Sequence, residues 1–374
     1  MGFSNVFLNN TINDKSLVIL DGQSSQVIDD AAQVVLVNCK NMVIKNVVDI
    51  GLNLEIILFG TNNTEITNCK GNIILINSNN NFLIKNEFSK TNGAWLYPAV
   101  LLSNSYNNTV TQNSVVGINS CGIILRDSAA YNKIEKNNIS ISSSSGYEGV
   151  SGIIIDGYKN YVYENYITSE EVGLVLGGEY NVFFKNNIYQ GKNSITIGRA
   201  LYNEILGNNL SGASDYAICL SYSDFNNFVW NNFLDNSKVY EFHEAYPILL
   251  TQPAYYSQYN KWDNGKEGNY WSDYTGQDKK GDGIGKVSYS VYENFTDNYP
   301  LIKPYDISKI QVTFEQWDGT TIDSQSQSTV DNKNGCKGFP LTVAITVTCV
   351  AIILGVVSII FLRRFKNGSK AKIV

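Results

Sequence analysis

A pair of asparagines five residues apart, in the pattern Asn-x-apolar-x-x-Asn-x-apolar, recurs about ten times in this chain and restricts its fold more than any other feature. The first asparagines are Asn5, Asn41, Asn63, Asn81, Asn108, Asn132, Asn160, Asn181, Asn203 and Asn226, and the partners run from Asn10 and Asn46 to Asn208 and Asn231. After Asn41 the copies lie 18 to 28 residues apart and settle at 21 to 23 in the last three. That is the length of one coil of a β-solenoid. Ahead of each copy but the first runs a second apolar stretch, such as VVLV from Val34, GIIL from Gly122, GIII from Gly152 and GLVL from Gly173. The pattern predicts two strands per repeat. Strands with apolar residues at i and i+2 bury one face, and a coil has only the coils above and below to bury it against, so the coils must stack. Asparagine suits the corners because it tolerates left-handed backbone angles and its amide can bond to its equivalent one coil away. The copy at Asn63 fits worst, with Glu65 and Lys70 where apolar residues are expected.

The expected architecture is all-β, a parallel β-helix of about ten coils over residues 1–239. A cap and Gly/Asp-rich segment follows over 240–305, then a polar stalk over 306–338, one transmembrane helix over 339–362 and a basic tail over 363–374. A leucine-rich horseshoe would need Leu-x-x-Leu-x-Leu lattices and helical segments, and neither is in the sequence. From Phe339 to Leu362 there are 24 residues without a charge. As a helix they would extend roughly 36 Å, enough to cross a hydrocarbon core of about 30 Å. Arg363, Arg364, Lys366, Lys370 and Lys372 follow, which places the tail in the cytoplasm and the body outside. The opening MGFSNVFLNNTINDK has no basic start and apolar core of a signal peptide, while its residues already fit the repeat; a truncated or misassigned start is the expectation.

Hydrophobic residues make up 43% and charged residues 17%, which suits a packed core rather than disorder. The net charge is −6, and residues 1–362 carry 23 basic against 34 acidic groups. An acidic body of that kind repels phosphate backbones, so nucleic acid is excluded as a partner, leaving glycans, neighbouring surface proteins and the membrane. Cys39, Cys69, Cys121, Cys219, Cys336 and Cys349 show no metal-site or disulfide spacing and read as small apolar residues. Six Asn-x-Ser/Thr sequons begin at Asn9, Asn62, Asn107, Asn138, Asn209 and Asn294 and suit an exported glycoprotein.

The Asn-anchored coils, the opening Leu17 to Asn46 and the stretch GNYWSDYTGQDKKGDGIGKVSYSVYENFTDNYPLIKPY from Gly268 to Tyr305 resemble the NosD-like β-helix family. This is a carbohydrate-binding and sugar-hydrolase-associated solenoid common in archaeal surface proteins. The resemblance implies a right-handed helix. Members named for NosD are associated with copper-site maturation, but this chain has one histidine, His243, and two methionines, Met1 and Met42, too few soft or imidazole ligands for copper.

For an enzyme on this fold, acidic residues should group on one face beside a basic one. The best grouping follows the second strand of successive coils: Arg126 and Asp127, then Asp156, with Arg199 further on. Asp127 and Asp156 are expected about 5 Å apart, one coil spacing. Tyrosines beside the corners, Tyr131, Tyr158, Tyr161, Tyr180, Tyr202 and Tyr222, are candidates for stacking on sugars. Asp278 and Asp282, in DKKGDGIGK, resemble a calcium loop in which two oxygen donors are replaced by Lys280 and Lys286; calcium is the one cofactor considered, against a plain glycine-rich turn. The reading is a membrane-anchored structural or binding module for carbohydrate or surface proteins. The alternatives are a polysaccharide lyase, hydrolase or epimerase, or a copper-maturation factor.

Overall fold

From Glu87 on, each coil is built from three strands, not two, because the asparagine pair brackets a strand of its own; the coils before it show two among the described residues. The computed structural model describes residues 10–48, 55–94, 97–144, 149–237, 240–242, 259–292 and 295–315. The expected transmembrane helix and basic tail, His243, Asn9 and Asn294 lie outside the described residues. Among the described residues no helix is long and apolar enough to cross a membrane.

The first sheet runs from Lys15–Asp21 through Ala31–Val37, Ile123–Arg126 and Val172–Leu176 to Tyr216–Ser221 and Tyr240–Phe242. The second is a ten-stranded sheet of three-residue strands, from Val27–Asp29 to Asn227–Val229. The third includes Glu87–Ala94, Ser114–Ser120, Asn209–Ser211 and Asn232–Leu234 and ends at Tyr270–Trp271. Pairing between coils is parallel throughout all three. In the second sheet the register puts Ile28, Ile44, Ile66, Leu83, Val110, Ile134, Val162, Phe183, Ile205 and Phe228 in one inward column, each no more than 6% exposed. Each such side chain contributes about 1.5–3 kcal/mol by leaving water, and only stacking provides the burial.

The asparagines occupy columns, as the repeat requires. One column runs from Asn81 through Asn108, Asn132, Asn160, Asn181, Asn203 and Asn226 to Asn260. The other runs from Asn86 through Asn113, Asn137, Asn165, Asn186, Asn208 and Asn231 to Asn269. Asn160 illustrates how each amide is used. Its Oδ1 accepts from the backbone N–H and Nδ2 of Asn132, both at 3.0 Å, and its Nδ2 donates to Asn181 Oδ1 at 3.1 Å and to the Ala129 carbonyl at 3.0 Å. A fully buried amide thus has every polar atom paired, which is the condition for burying it at all.

The poor copy at Asn63 has a structural cause. Asn41, Asn46, Asn63 and Asn68 sit one residue earlier in the coil, on the outside, with φ between +53° and +57°. Asn63 Nδ2 donates to Asn41 Oδ1 across coils. The inward places in these coils belong to Met42, Val47, Thr64 and Cys69, all buried, and the true ladders begin where the Thr64 and Cys69 N–H groups donate to Asn81 and Asn86. The same spacing of five therefore serves two columns. Cys39, Cys69, Cys121 and Cys219 are buried, and burial pushes the Cys69 and Cys121 thiols up to about 11.

Residues 305–315, the last of the expected cap segment and the start of the expected stalk, lie along the outside of the second sheet. Asn232 and Tyr305 exchange two hydrogen bonds, of 3.0 and 2.7 Å. Ile310 is 4% exposed and packs with Tyr161, Tyr163 and Phe184, while Phe314 lies against the rings of Tyr161 and Tyr163 at 4.9 and 5.3 Å. Gly207, at φ +53°, makes the space: a Cβ there would stand 1.8 Å from Ile310 Cδ1.

Candidate functional site

The corner between the first and second sheets collects Arg126, Asp127, Asp156, Tyr131, Tyr158, Tyr180 and Tyr202, while Tyr161 lies on the second sheet itself and Asp278 and Asp282 lie in a separate turn. At the end of the first-sheet strands one column holds Ser103, Arg126, Asp156, Gly177, Gly198 and Ser221. Three to five residues further on, a second column holds Tyr131, Lys159, Tyr180, Tyr202 and Phe225, all at φ +53° to +58°. Between them Tyr106, Ala130, Tyr158, Glu179 and Leu201 bridge coil to coil. Tyr158 is therefore half-buried between the two columns, whereas Tyr131, Tyr180 and Tyr202 share one.

Asp156 stands opposite Arg126, not Asp127. Arg126 is six residues from its ladder asparagine Asn132, and Asp156 only four from Asn160, so the longer coil loops out Asp127 and Ser128, both at positive φ. Asp127 is held firmly: Ser103 Oγ donates to Oδ2 at 2.6 Å and Arg126 Nε lies 3.3 Å from the same oxygen. Asp156 has no hydrogen-bond or ionic partner among the described residues. Loss of solvent, and then the charge of Asp127, raise its pKa above the usual carboxylate value. The two carboxyls are thus unequal: Asp127 is held by Ser103 and Arg126, while Asp156 is unpaired and biased toward keeping a proton.

Beside Asp156 the corner is bare. Neither Gly177 nor Gly198 has the positive φ that demands glycine; a Cβ on Gly177 would meet Asp156 Oδ1 at 3.4 Å, and one on Gly198 only Ser221 Oγ at 3.5 Å. At Gly157 and Gly178, by contrast, a Cβ would collide with backbone oxygens at 2.1 and 1.7 Å. The first pair leaves open ground next to the unpaired carboxyl, while the second pair lets the coils approach.

The tyrosine column is a stack. Tyr180 lies 5.1 Å from Tyr202, Tyr202 5.1 Å from Phe225 and Phe225 5.4 Å from Tyr259, with planes within 10°. Exposures are 49, 43, 47 and 61%, so the stack forms a ridge whose ring faces cover one another and whose edges and hydroxyls meet water. Aromatic residues at left-handed angles are costly, by about 1–2 kcal/mol each, and the stacking recovers part of that. Lys159 interrupts the column: its Nζ lies 5.5 Å from the Tyr131 ring centre and 2.9 Å from Glu315 Oε2. The sequence alone did not single out Lys159, and its position between Tyr131 and Tyr180 in the repeat was the signal for it.

Asp278 closes its own turn. Its Oδ1 accepts from the N–H groups of Lys280, Gly281 and Asp282 and its Oδ2 from Gly283, while Asp282 Oδ1 accepts from Ile284. These amides lower the Asp278 pKa. Both Asp278 oxygens thus serve a hydrogen-bonded glycine turn. Among the described residues no group of three or more His, Cys, Asp or Glu could hold a metal ion. Of the sequons, Asn138 is exposed, Asn107 and Asn209 use Nδ2 to bond Asn80 and Asn187, and Asn62 Oδ1 accepts from the Asn79 N–H.

Residues 99–250 match the family model described as right handed beta helix region, and the three-sheet coil makes the chain a right-handed parallel β-helix. No curated protein matches the sequence. Solved structures to which the chain shows similarity include the A-module of the mannuronan C-5 epimerase AlgE4 of Azotobacter vinelandii, at 12% identity over 62% of this chain and 83% of that one, with a TM-score of 0.29. Another is the catalytic domain of a GH87 alpha-1,3-glucanase in complex with nigerose, at 11% identity over 69% of this chain and 62% of that one, also with a TM-score of 0.29.

Proposed function

We propose that the rod is a binding module that receives a saccharide chain along the corner between its first and second sheets. The observation that carries this is the alignment, over successive coils, of a polar column containing Arg126 and Asp156 with a ridge containing Tyr180 and Tyr202. Fixed carboxylate, guanidinium and phenol groups suit hydroxyl-rich ligands, and a repeat of about 4.8 Å is close to the rise of one sugar unit. We place the rod on the cell surface as a NosD-like protein, held by residues 339–362. The test is affinity electrophoresis of the whole protein through neutral glucan and polyuronate gels. Retardation should weaken by about tenfold in a Tyr180→Ala, Tyr202→Ala, Asp156→Ala variant, the size expected from losing a few partly exposed contacts. Equal retardation of variant and wild type would overturn the assignment. A second reading, cleavage or epimerisation of the bound chain, is favoured by the inequality of Asp127 and Asp156. It requires that Asp156→Asn abolish turnover while binding persists.

A further inference from the structure

The outer face of the second sheet changes character part-way along the rod. Its outward residues are Thr109 and Thr111, then Lys133 and Glu135, in the middle coils, but Tyr161 and Tyr163, then Val182 and Phe184, in the next two. The apolar stretch lies under the far part of residues 305–315, which begin at Asn232, pass Gly207 and reach Tyr161 and Tyr163. Along this strap Ile310, Val312 and Phe314 alternate toward the rod, and the strap forms no β-ladder with the sheet beneath it. Its far end is held by polar contacts: the Glu315 N–H donates to Tyr161 Oη at 2.6 Å, and the Glu315 carboxylate meets Lys159 Nζ at 2.9 Å. Lys159 is the single cation in the Tyr131–Tyr202 column, so the strap ends on the corner assigned above to the saccharide.

We propose that residues 305–315 are a latch on the saccharide corner, in which Glu315 occupies the Lys159 ammonium that a bound chain would otherwise engage. The inference rests on the saccharide reading. An ammonium already paired with a carboxylate at 2.9 Å has less to offer an incoming carboxylate or hydroxyl, so ligand binding and latch docking compete. By linkage each must weaken the other by the same factor. The attachment through side chains, with hydrogen bonds near its two ends, makes the strap a segment that can open without unravelling the coils.

The test compares wild type with Glu315→Gln, which removes the charge while keeping the shape, and with Ile310→Ser, which loosens the strap away from Lys159. Retention in a polyuronate gel should strengthen by about threefold in Glu315→Gln, the size of a half-exposed ion pair, and less in a neutral glucan gel. Hydrogen exchange at residues 311–315 should quicken in both variants, and again in wild type when the polyuronate is added. A strap that is only structural would quicken exchange in the variants and leave retention unchanged, which overturns the latch while the saccharide assignment stands. Failure of every protein to be retained by either gel removes the saccharide assignment and the competition with it.

Discussion

Replacing Asn160 with alanine is expected to destabilise the rod by about 3–5 kcal/mol. The change removes the acceptor for two buried donors, the Asn132 N–H and one Asn132 Nδ2–H, both at 3.0 Å. Each donor left unpaired in a dry interior costs about 1–3 kcal/mol, and the void left by the amide adds to that. The Ala129 carbonyl keeps a partner in the Tyr158 N–H at 3.2 Å, which limits the loss to one coil interface. Since a solenoid's stability is a sum over neighbouring coils, the damage should appear as hydrogen exchange quickened first in the coils on either side of Asn160. The control is Asn63→Gly, at an exposed left-handed position that glycine adopts freely, where a shift within about 0.5 kcal/mol is expected. Urea unfolding followed by far-UV circular dichroism compares the two. Equal effects would mean that the buried and exposed asparagine columns do not differ in kind.

That comparison also marks what could be read from the sequence. A spacing of five between asparagines reveals a coil, but it is the same in Asn41/Asn46, which lie outside, and in Asn81/Asn86, which lie inside. Only the residue type at the next position, Met42 or Thr64 against Phe82, carries the distinction. Counting two strands per coil failed from Glu87 on for a related reason: the strand between the paired asparagines is three residues long, with one inward side chain such as Ile134, too short a run to stand out in the sequence. The candidate site was legible as a set of residues and not as an arrangement. Arg126, Asp127, Asp156, Tyr180 and Tyr202 do share a corner, but the unequal loops before Asn132 and Asn160 decide that Asp156 faces Arg126. The strap was hidden because it is far in sequence from the sheet it covers. Its signals were the alternation in IQVTF and the unexplained outward aromatics at Tyr161, Tyr163 and Phe184.

The far end of the inner ladder supplies the other large expected effect, a fall in stability as pH rises from about 4 to about 6. Asn269 ends the asparagine column, and its backbone N–H donates at 2.7 Å to Asp297 Oδ2, which takes the place of the next amide. Trp271 Nε1 donates to the same oxygen at 2.9 Å and the Tyr299 N–H to Oδ1 at 3.0 Å. Asn269 Nδ2 donates to the Phe228 and Trp262 carbonyls instead of to Asp297, and Asp297 carries no amide with which to continue the ladder. Asp297 is fully buried, and burial outweighs those three donors to push it up to about 6 from an ordinary 3.8. Between these values the folded rod holds a proton that the unfolded chain has released. Raising the pH through this window therefore favours unfolding, by about 3 kcal/mol at 1.36 kcal/mol per pH unit of separation, and above about 6 the penalty is constant. Asp156 and Glu204 are raised as well, so the measurement is the difference between wild type and Asp297→Asn in urea unfolding at pH 3.5, 5 and 7. Asparagine cannot titrate, and the slope assigned to Asp297 should vanish in the variant. A slope that survives the substitution would show that Asp297 ends the ladder without its proton being held by burial.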